Sequence, residues 1–167
     1  MRFAETRIGI RREIHLKKQT TWLAIFTLAL GFALALRAAG PEITVYKLST
    51  CGCCGQWVEH LKKNDFQVMV HEVPSVDEYK KQYGVPKELE SCHTAVVGGY
   101  TIEGHVPAAD ILRLLKERPA AKGLAVPGMP LGSPGMESQR GDVRDAYDVL
   151  LFTADGKTSV YQHYEGN

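Results

Sequence analysis

The chain has 167 residues, 44% of them hydrophobic, and a formal net charge of +1, which is enough for one domain with its own core. The charge is unevenly placed. Residues 1–40 carry seven Lys/Arg and two Asp/Glu, net +5, while residues 41–167 carry thirteen and seventeen, net −4. The larger part is mildly acidic and has no basic run, so nucleic-acid binding is excluded as an expectation.

The N-terminal segment reads as a leader. Arg11, Arg12, Lys17 and Lys18 precede an apolar run from Thr21 to Leu36, and Arg37-Ala38-Ala39-Gly40 follows. A basic start, an apolar stretch and small residues after it form a secretory signal. Arg37 disturbs the small-x-small cleavage pattern, and Pro41 is unfavourable just after a cut at Gly40. The apolar run also falls just short of the ~20 residues of a spanning helix. A cleaved signal peptide and an uncleaved membrane anchor over residues 21–36 therefore both remain open, ahead of a buried core helix. Arg11-Arg12 raises twin-arginine export, although Glu13-Ile14-His15 matches such a signal weakly. The expected division is a leader at 1–40 and one domain at 41–167.

Within that domain, Ile43–Leu48 predicts a strand and Gly55–Lys63 a helix with Trp57, Val58 and Leu61 inward. Phe66–Val73 alternates as a second strand, parallel to the first because a helix separates them. Val76–Tyr83 predicts a second helix, stopped by Gly84 and Pro86. Thr94–Val97 and Tyr100–Glu103 form a hairpin across Gly98-Gly99, and Pro107 opens a third helix that ends at Pro119. From Pro119 to Asp142 the chain holds four prolines, five glycines and two methionines with little periodicity, the mark of a long functional loop. Tyr147–Phe152 and Thr158–Tyr164 then make a hairpin across Asp155-Gly156 that extends the sheet. The order β-α-β-α-β-β-α is that of a thioredoxin-like α/β fold.

The chemistry concentrates in Cys51-Gly52-Cys53-Cys54. A strand running into Cys-x-x-Cys (Cys51, Cys54) and then a helix is a redox signature. A dithiol pair has no use for a third thiol between its members, whereas three soft sulfurs in four residues suit a thiophilic metal, Cu(I) above all. This spacing argues for a site rather than for structural disulfides. In the expected fold, Ser91-Cys92-His93 at the start of the hairpin abuts the cysteine turn, with His93 where thioredoxins carry a proline. His105, just past the second hairpin strand, returns to the same end. Met129 and Met136 in the long loop offer thioether ligands. The ligand candidates are thus Cys51, Cys53, Cys54 and Cys92, then His93, His105, Met129 and Met136. Each has a plainer role: a core cysteine for Cys92, a strand residue for His93, a capping residue for His105, packing for the methionines. His60, His71 and His163 read as surface residues.

Several longer stretches carry a resemblance: Cys-Gly-Cys-Cys-Gly-x-Trp (51–57), Ser91-Cys92-His93-Thr94, Gly104-His105-Val106-Pro107-Ala108-x-Asp110, and the Gly/Pro/Met segment 123–137. Over residues 42–164 the chain resembles the CopG-type periplasmic copper-resistance proteins, a family long labelled a domain of unknown function. The resemblance implies a thioredoxin-like fold, a periplasmic location and a copper site on the clustered cysteines, with other periplasmic copper-handling proteins as partners. Four cysteines offer more sulfurs than one Cu(I) needs, so a multinuclear cluster is an expectation, and copper redox activity remains open. The rival is a thiol–disulfide oxidoreductase with Cys51 as nucleophile and Cys54 resolving. An iron–sulfur protein is weaker, since Cys-x-Cys-Cys fits none of the usual cluster spacings.

Overall fold

In the computed structural model, residues 40–137 and 143–167 are described. The leader with its apolar run 21–36 lies outside them, apart from Gly40. Among the described residues no helix is long and apolar enough to cross a membrane.

The elements run β1 (Glu42–Lys47), α1 (Gly52–Lys63), β2 (Gln67–Glu72), α2 (Asp77–Tyr83), a 3-10 turn (Lys87–Leu89), β3 (His93–Val97), β4 (Tyr100–Glu103), α3 (Ala108–Glu117), β5 (Gly123–Ala125), β6 (Tyr147–Phe152) and β7 (Thr158–Tyr164). They form a mixed α/β architecture around one seven-stranded sheet in the order β2-β1-β3-β4-β5-β6-β7. The β1/β2 and β4/β5 pairs are parallel and the other pairs antiparallel. Gly98 and Gly99 both take positive φ, 56° and 88°, as the two-residue turn requires.

Alternation along the strands divides the interior. Ile43, Val45, Ala95, Val97, Ile102, Leu124 and Val149 form one core with Trp57, Val58 and Leu61 of α1 and Ile111 and Leu114 of α3. Each such fully buried aliphatic side chain stabilises by about 1.5–3 kcal/mol. On the other face Tyr46 stacks on Tyr79 of α2 with ring centres 4.1 Å apart. There Leu89, Ala125 and Phe152 make a smaller cluster.

Four expectations need correction. The first helix begins at Gly52, not Gly55. Cys51 holds the cap position with extended backbone, so Cys53 and Cys54 lie in the first helical turn; a Cβ at Gly52 or Gly55 would meet nothing within 4 Å, so packing does not require either glycine. Pro107 is the cap of α3 rather than its first residue, with ψ at 141°. The stretch from Pro119 to Asp142 is not all loop. Gly123–Ala125 adds a strand between β4 and β6, which a three-residue segment gains from pairing on both sides rather than from its own propensity. His60 is not a solvated residue: it is half-buried, and its Nε2 accepts the Ala108 N–H at 3.1 Å. His71 and His163 are exposed.

Candidate metal centre

β1 ends by running into the cap of α1, and β3 begins antiparallel beside it, with Lys47 paired to His93. This register brings Cys92 and His93 to the cysteine turn. The sulfurs of Cys51, Cys53, Cys54 and Cys92 all lie within 4.8 Å of one another. Cys51 and Cys53 sulfurs are 3.5 Å apart. The expectation of a site without disulfides is corrected in one respect: Cys51 and Cys54 are joined. Their Cα atoms stand 5.4 Å apart, inside the range that admits a bridge, because a cap residue and the third helical residue lie one turn apart. Cys53 and Cys92 are not bridged among the described residues.

A second set of donors shares Cys92. Its sulfur lies 3.2 Å from His93 Nδ1 and 3.0 Å from His105 Nε2, and the three donor groups also fall within 4.8 Å of one another. Both imidazoles are fully buried. His105 Nδ1 sits 2.7 Å from the Pro134 carbonyl oxygen. A carbonyl only accepts, so Nδ1 carries the proton and Nε2 faces Cys92 with a bare lone pair. His93 lies against Trp57, ring centres 4.3 Å apart, and its Nε2 has no hydrogen-bond partner among the described residues.

Burial dominates the electrostatics. It pushes the Cys92 thiol up to about 11, aided by the charge of neighbouring Cys53, so a metal must displace a proton there. Burial holds His93 well below the usual histidine range, helped by the competing titration of neighbouring His105 and by the positive charge of Lys80 and Lys47. It also lowers His105, against the raising influence of the Pro134 carbonyl. Both rings are therefore neutral at pH 7, the form in which imidazole binds metals.

The segment that carries Cys92 is tied down from the opposite face. Glu103 pairs with Thr94 across β3 and β4 and is fully buried. One carboxylate oxygen accepts the Ser91 N–H at 2.6 Å and an ion pair from Lys80; the other accepts the Thr94 hydroxyl at 2.6 Å. Sequence reading missed this support. The only signal was the alternation of Tyr100–Glu103, which sets Glu103 inward and opposite Thr94.

The Gly/Pro/Met loop covers the same end. Ser91 Oγ donates to the Gly128 carbonyl, and Pro134 orients His105. Gly135, at φ 84°, lies so close to α1 that a Cβ there would come within 2.7 Å of the Cys53 carbonyl oxygen and the Trp57 nitrogen. Met129 is 53% exposed and Met136 is half-buried.

A sheet that gathers four cysteine sulfurs and two neutral imidazoles at one end defines a protein with a thiol-rich centre able to hold metal. A family profile described as "Protein of unknown function, DUF411" matches residues 89–136. Two solved structures of copper resistance protein CopG, Form 1 and Form 2, are 49% and 48% identical to this chain. They cover 75% of it and 98% and 99% of their own lengths, each with a TM-score of 0.71. None of the curated proteins matches significantly. The chain belongs to the family of copper resistance protein CopG.

Proposed function

We propose that this protein binds Cu(I) through Cys51, Cys53, Cys54 and Cys92 and serves copper tolerance outside the cytoplasm, in the periplasm. The observation that carries the reading is the convergence of four sulfurs within 4.8 Å. Soft thiolates favour Cu(I) over harder cations, and bridging sulfurs allow a cluster of several ions. The similar structures are of a copper resistance protein, which supports the choice of metal. His93 and His105 stand next to the sulfurs as further ligands, and Met129 and Met136 sit in the loop over them as ligands for entering or leaving copper. The strand and helix order supports a thioredoxin-like reading of the fold. The basic and apolar leader supports export, as a cleaved signal or as an anchor at residues 21–36, with other copper-handling proteins of that compartment as partners.

Ligation by all four cysteines requires the Cys51–Cys54 disulfide to be reduced first. A dithiol reductant would supply two electrons and two protons, leaving two thiols and its own disulfide. Copper then displaces the thiol protons. The test is copper analysis of anaerobically purified, reduced protein. Cys53→Ser is expected to lower copper content as strongly as Cys51→Ser.

The Cys51–Cys54 disulfide at the start of a helix favours a second reading, thiol–disulfide oxidoreductase. Helix N-termini stabilise thiolates. If Cys53→Ser leaves copper binding intact while Cys51→Ser abolishes reduction of disulfide substrates, that reading replaces the first. A reporter fused to the leader and active only outside the cytoplasm tests export.

A further inference from the structure

The centre contains two donor sets, and oxidation affects them differently. Joining Cys51 to Cys54 removes two thiolates from the four-sulfur set, since disulfide sulfurs are neutral and poor ligands. The set of Cys92, His93 and His105 loses nothing. We propose that these three residues form a separate position for one divalent cation of borderline softness, and that this position stands while Cys51 and Cys54 are oxidised. The inference deepens the metal-binding reading, with which it shares Cys92.

Geometry supports it. Metal–nitrogen bonds near 2.0 Å and metal–sulfur bonds near 2.3 Å set tetrahedral donor atoms about 3.5 Å apart. The Cys92 sulfur lies 3.0 and 3.2 Å from the two ring nitrogens, so movements of about half an ångström would admit an ion. One thiolate with two imidazoles suits zinc or copper, and imidazole is the donor that separates this set from the all-sulfur one. The outer contacts of a ligand site are already present. His105 is fixed in the right tautomer by the Pro134 carbonyl at 2.7 Å, an arrangement typical of metal-bound histidine. His93 is held by Trp57 and by the backbone bond from Gly104 N–H to its carbonyl at 3.0 Å. The Ser91–His93 segment is pinned by Glu103. His93 is fully buried with its Nδ1 toward the Cys92 sulfur, while its other ring nitrogen, Nε2, has no partner among the described residues. Cys92 is half-buried, so an ion reaches the set from its side.

The full-length protein tests this with the Cys51–Cys54 disulfide intact, verified by mass spectrometry showing that only two cysteines alkylate. Titration with Co(II) should bind one equivalent, with the intense visible bands of a four-coordinate site and a sulfur-to-cobalt charge-transfer band; Zn(II) should displace it. Cys92→Ser should remove the charge-transfer band, and His105→Gln should weaken binding by about tenfold or more. His93 lies in the core and its variants can unfold, so alkylation of the wild type provides a check without mutation. Bound Zn(II) should protect Cys92 and leave Cys53 reactive. Absence of Co(II) uptake, uptake of several equivalents, a charge-transfer band that survives Cys92→Ser, or protection of Cys53 in place of Cys92 would each overturn the proposal. Cu(I) titration of the reduced protein is a separate arm. Failure there with Co(II) binding retained sinks the four-sulfur reading alone, and the converse sinks only this one.

Discussion

At the start of β3 two consecutive residues face opposite sides of the sheet. Thr94 meets Glu103 and Lys80, Glu103 also takes the Ser91 amide N–H, and that cluster hydrogen-bonds within itself. His93 meets Trp57, Cys92 and His105; its Nδ1 faces the Cys92 sulfur, its Nε2 lacks a partner among the described residues, and the Cys92 thiol stays unbridged. Both clusters are polar and buried. The difference is saturation. Buried polar groups are normally all satisfied, so the saturated face supports structure, and the unsaturated face is the one on which the metal position is proposed. Strand alternation sets the support one residue away from the chemistry it holds.

The largest effect should come from breaking the saturated face. Glu103→Leu leaves Lys80 buried without its partner, which costs about 3–5 kcal/mol. The double change Glu103→Gln with Lys80→Met removes both charges. It keeps an amide oxygen for the Ser91 N–H and an amide donor for Thr94. Urea unfolding should show most of the loss recovered, and the double variant should keep the metal content of the wild type. If it is as unstable as Glu103→Leu, the buried charge is not the source of the cost.

Next in size is the loop that orients the unsaturated face. Gly135→Ala places a methyl group against the Cys53 carbonyl and Trp57 nitrogen, at a backbone angle that favours glycine. The loop must move, and Pro134 with it, so His105 loses the contact that fixes its tautomer. Disturbing such outer contacts lowers metal affinity by roughly 10–100-fold. Titration with metal, read beside an unfolding curve, separates this loss from simple destabilisation. Unchanged affinity would show that the Pro134 contact does not matter for ligation.

Smaller still is the effect expected of Met129→Leu with Met136→Leu. Volume and apolarity are kept, so stability should change by less than about 1.5 kcal/mol. Cu(I) should be held more weakly or oxidise faster, with the cysteine ligation retained. Equal affinity and oxidation rate would reduce both methionines to packing.

How much of this was legible from the sequence follows from the range of the interactions. The alternation of β1 and the turn at Gly98-Gly99 are local, and so were readable, as was the meeting of Cys92 with the cysteine turn once β3 was set antiparallel to β1. β5 was not readable, because Gly123-Leu124-Ala125 is too short for any period and becomes a strand only between β4 and β6. The Lys80–Glu103 pair spans 23 positions and joins a helix to a hairpin, and nothing in either segment announces the other. The Cys51–Cys54 bridge is visible as Cys-x-x-Cys spacing, but a third thiol at Cys53 points equally to metal, and spacing alone does not separate the two. The structure holds both features at one place.

His60 sharpens the comparison from the other direction, because it is a histidine near the same end whose ring is already employed. The first N–H groups of a helix have no partner inside it, and the Pro107 cap of α3 supplies no side-chain acceptor. His60 Nε2 accepts the Ala108 N–H in its place, which requires an unprotonated Nε2. Burial lowers the His60 pKa, outweighing the raising influence of Glu137, with Lys63 lowering it further. The unfolded chain therefore takes up the proton first. The stabilisation is fully present above the unfolded value of about 6.5 and is lost as pH falls through the lower folded value. Its size should not exceed that of an ordinary helix cap, about 1 kcal/mol, and partial exposure keeps it toward the small end. Urea unfolding at pH values from about 7.5 down to about 5 should show this loss in the wild type. His60→Gln retains an acceptor and does not titrate, so that part of the slope should vanish. An identical pH slope in the variant would mean that His60 does not hold the start of α3, and that a buried ring with a hydrogen-bond partner cannot by itself be read as a structural one.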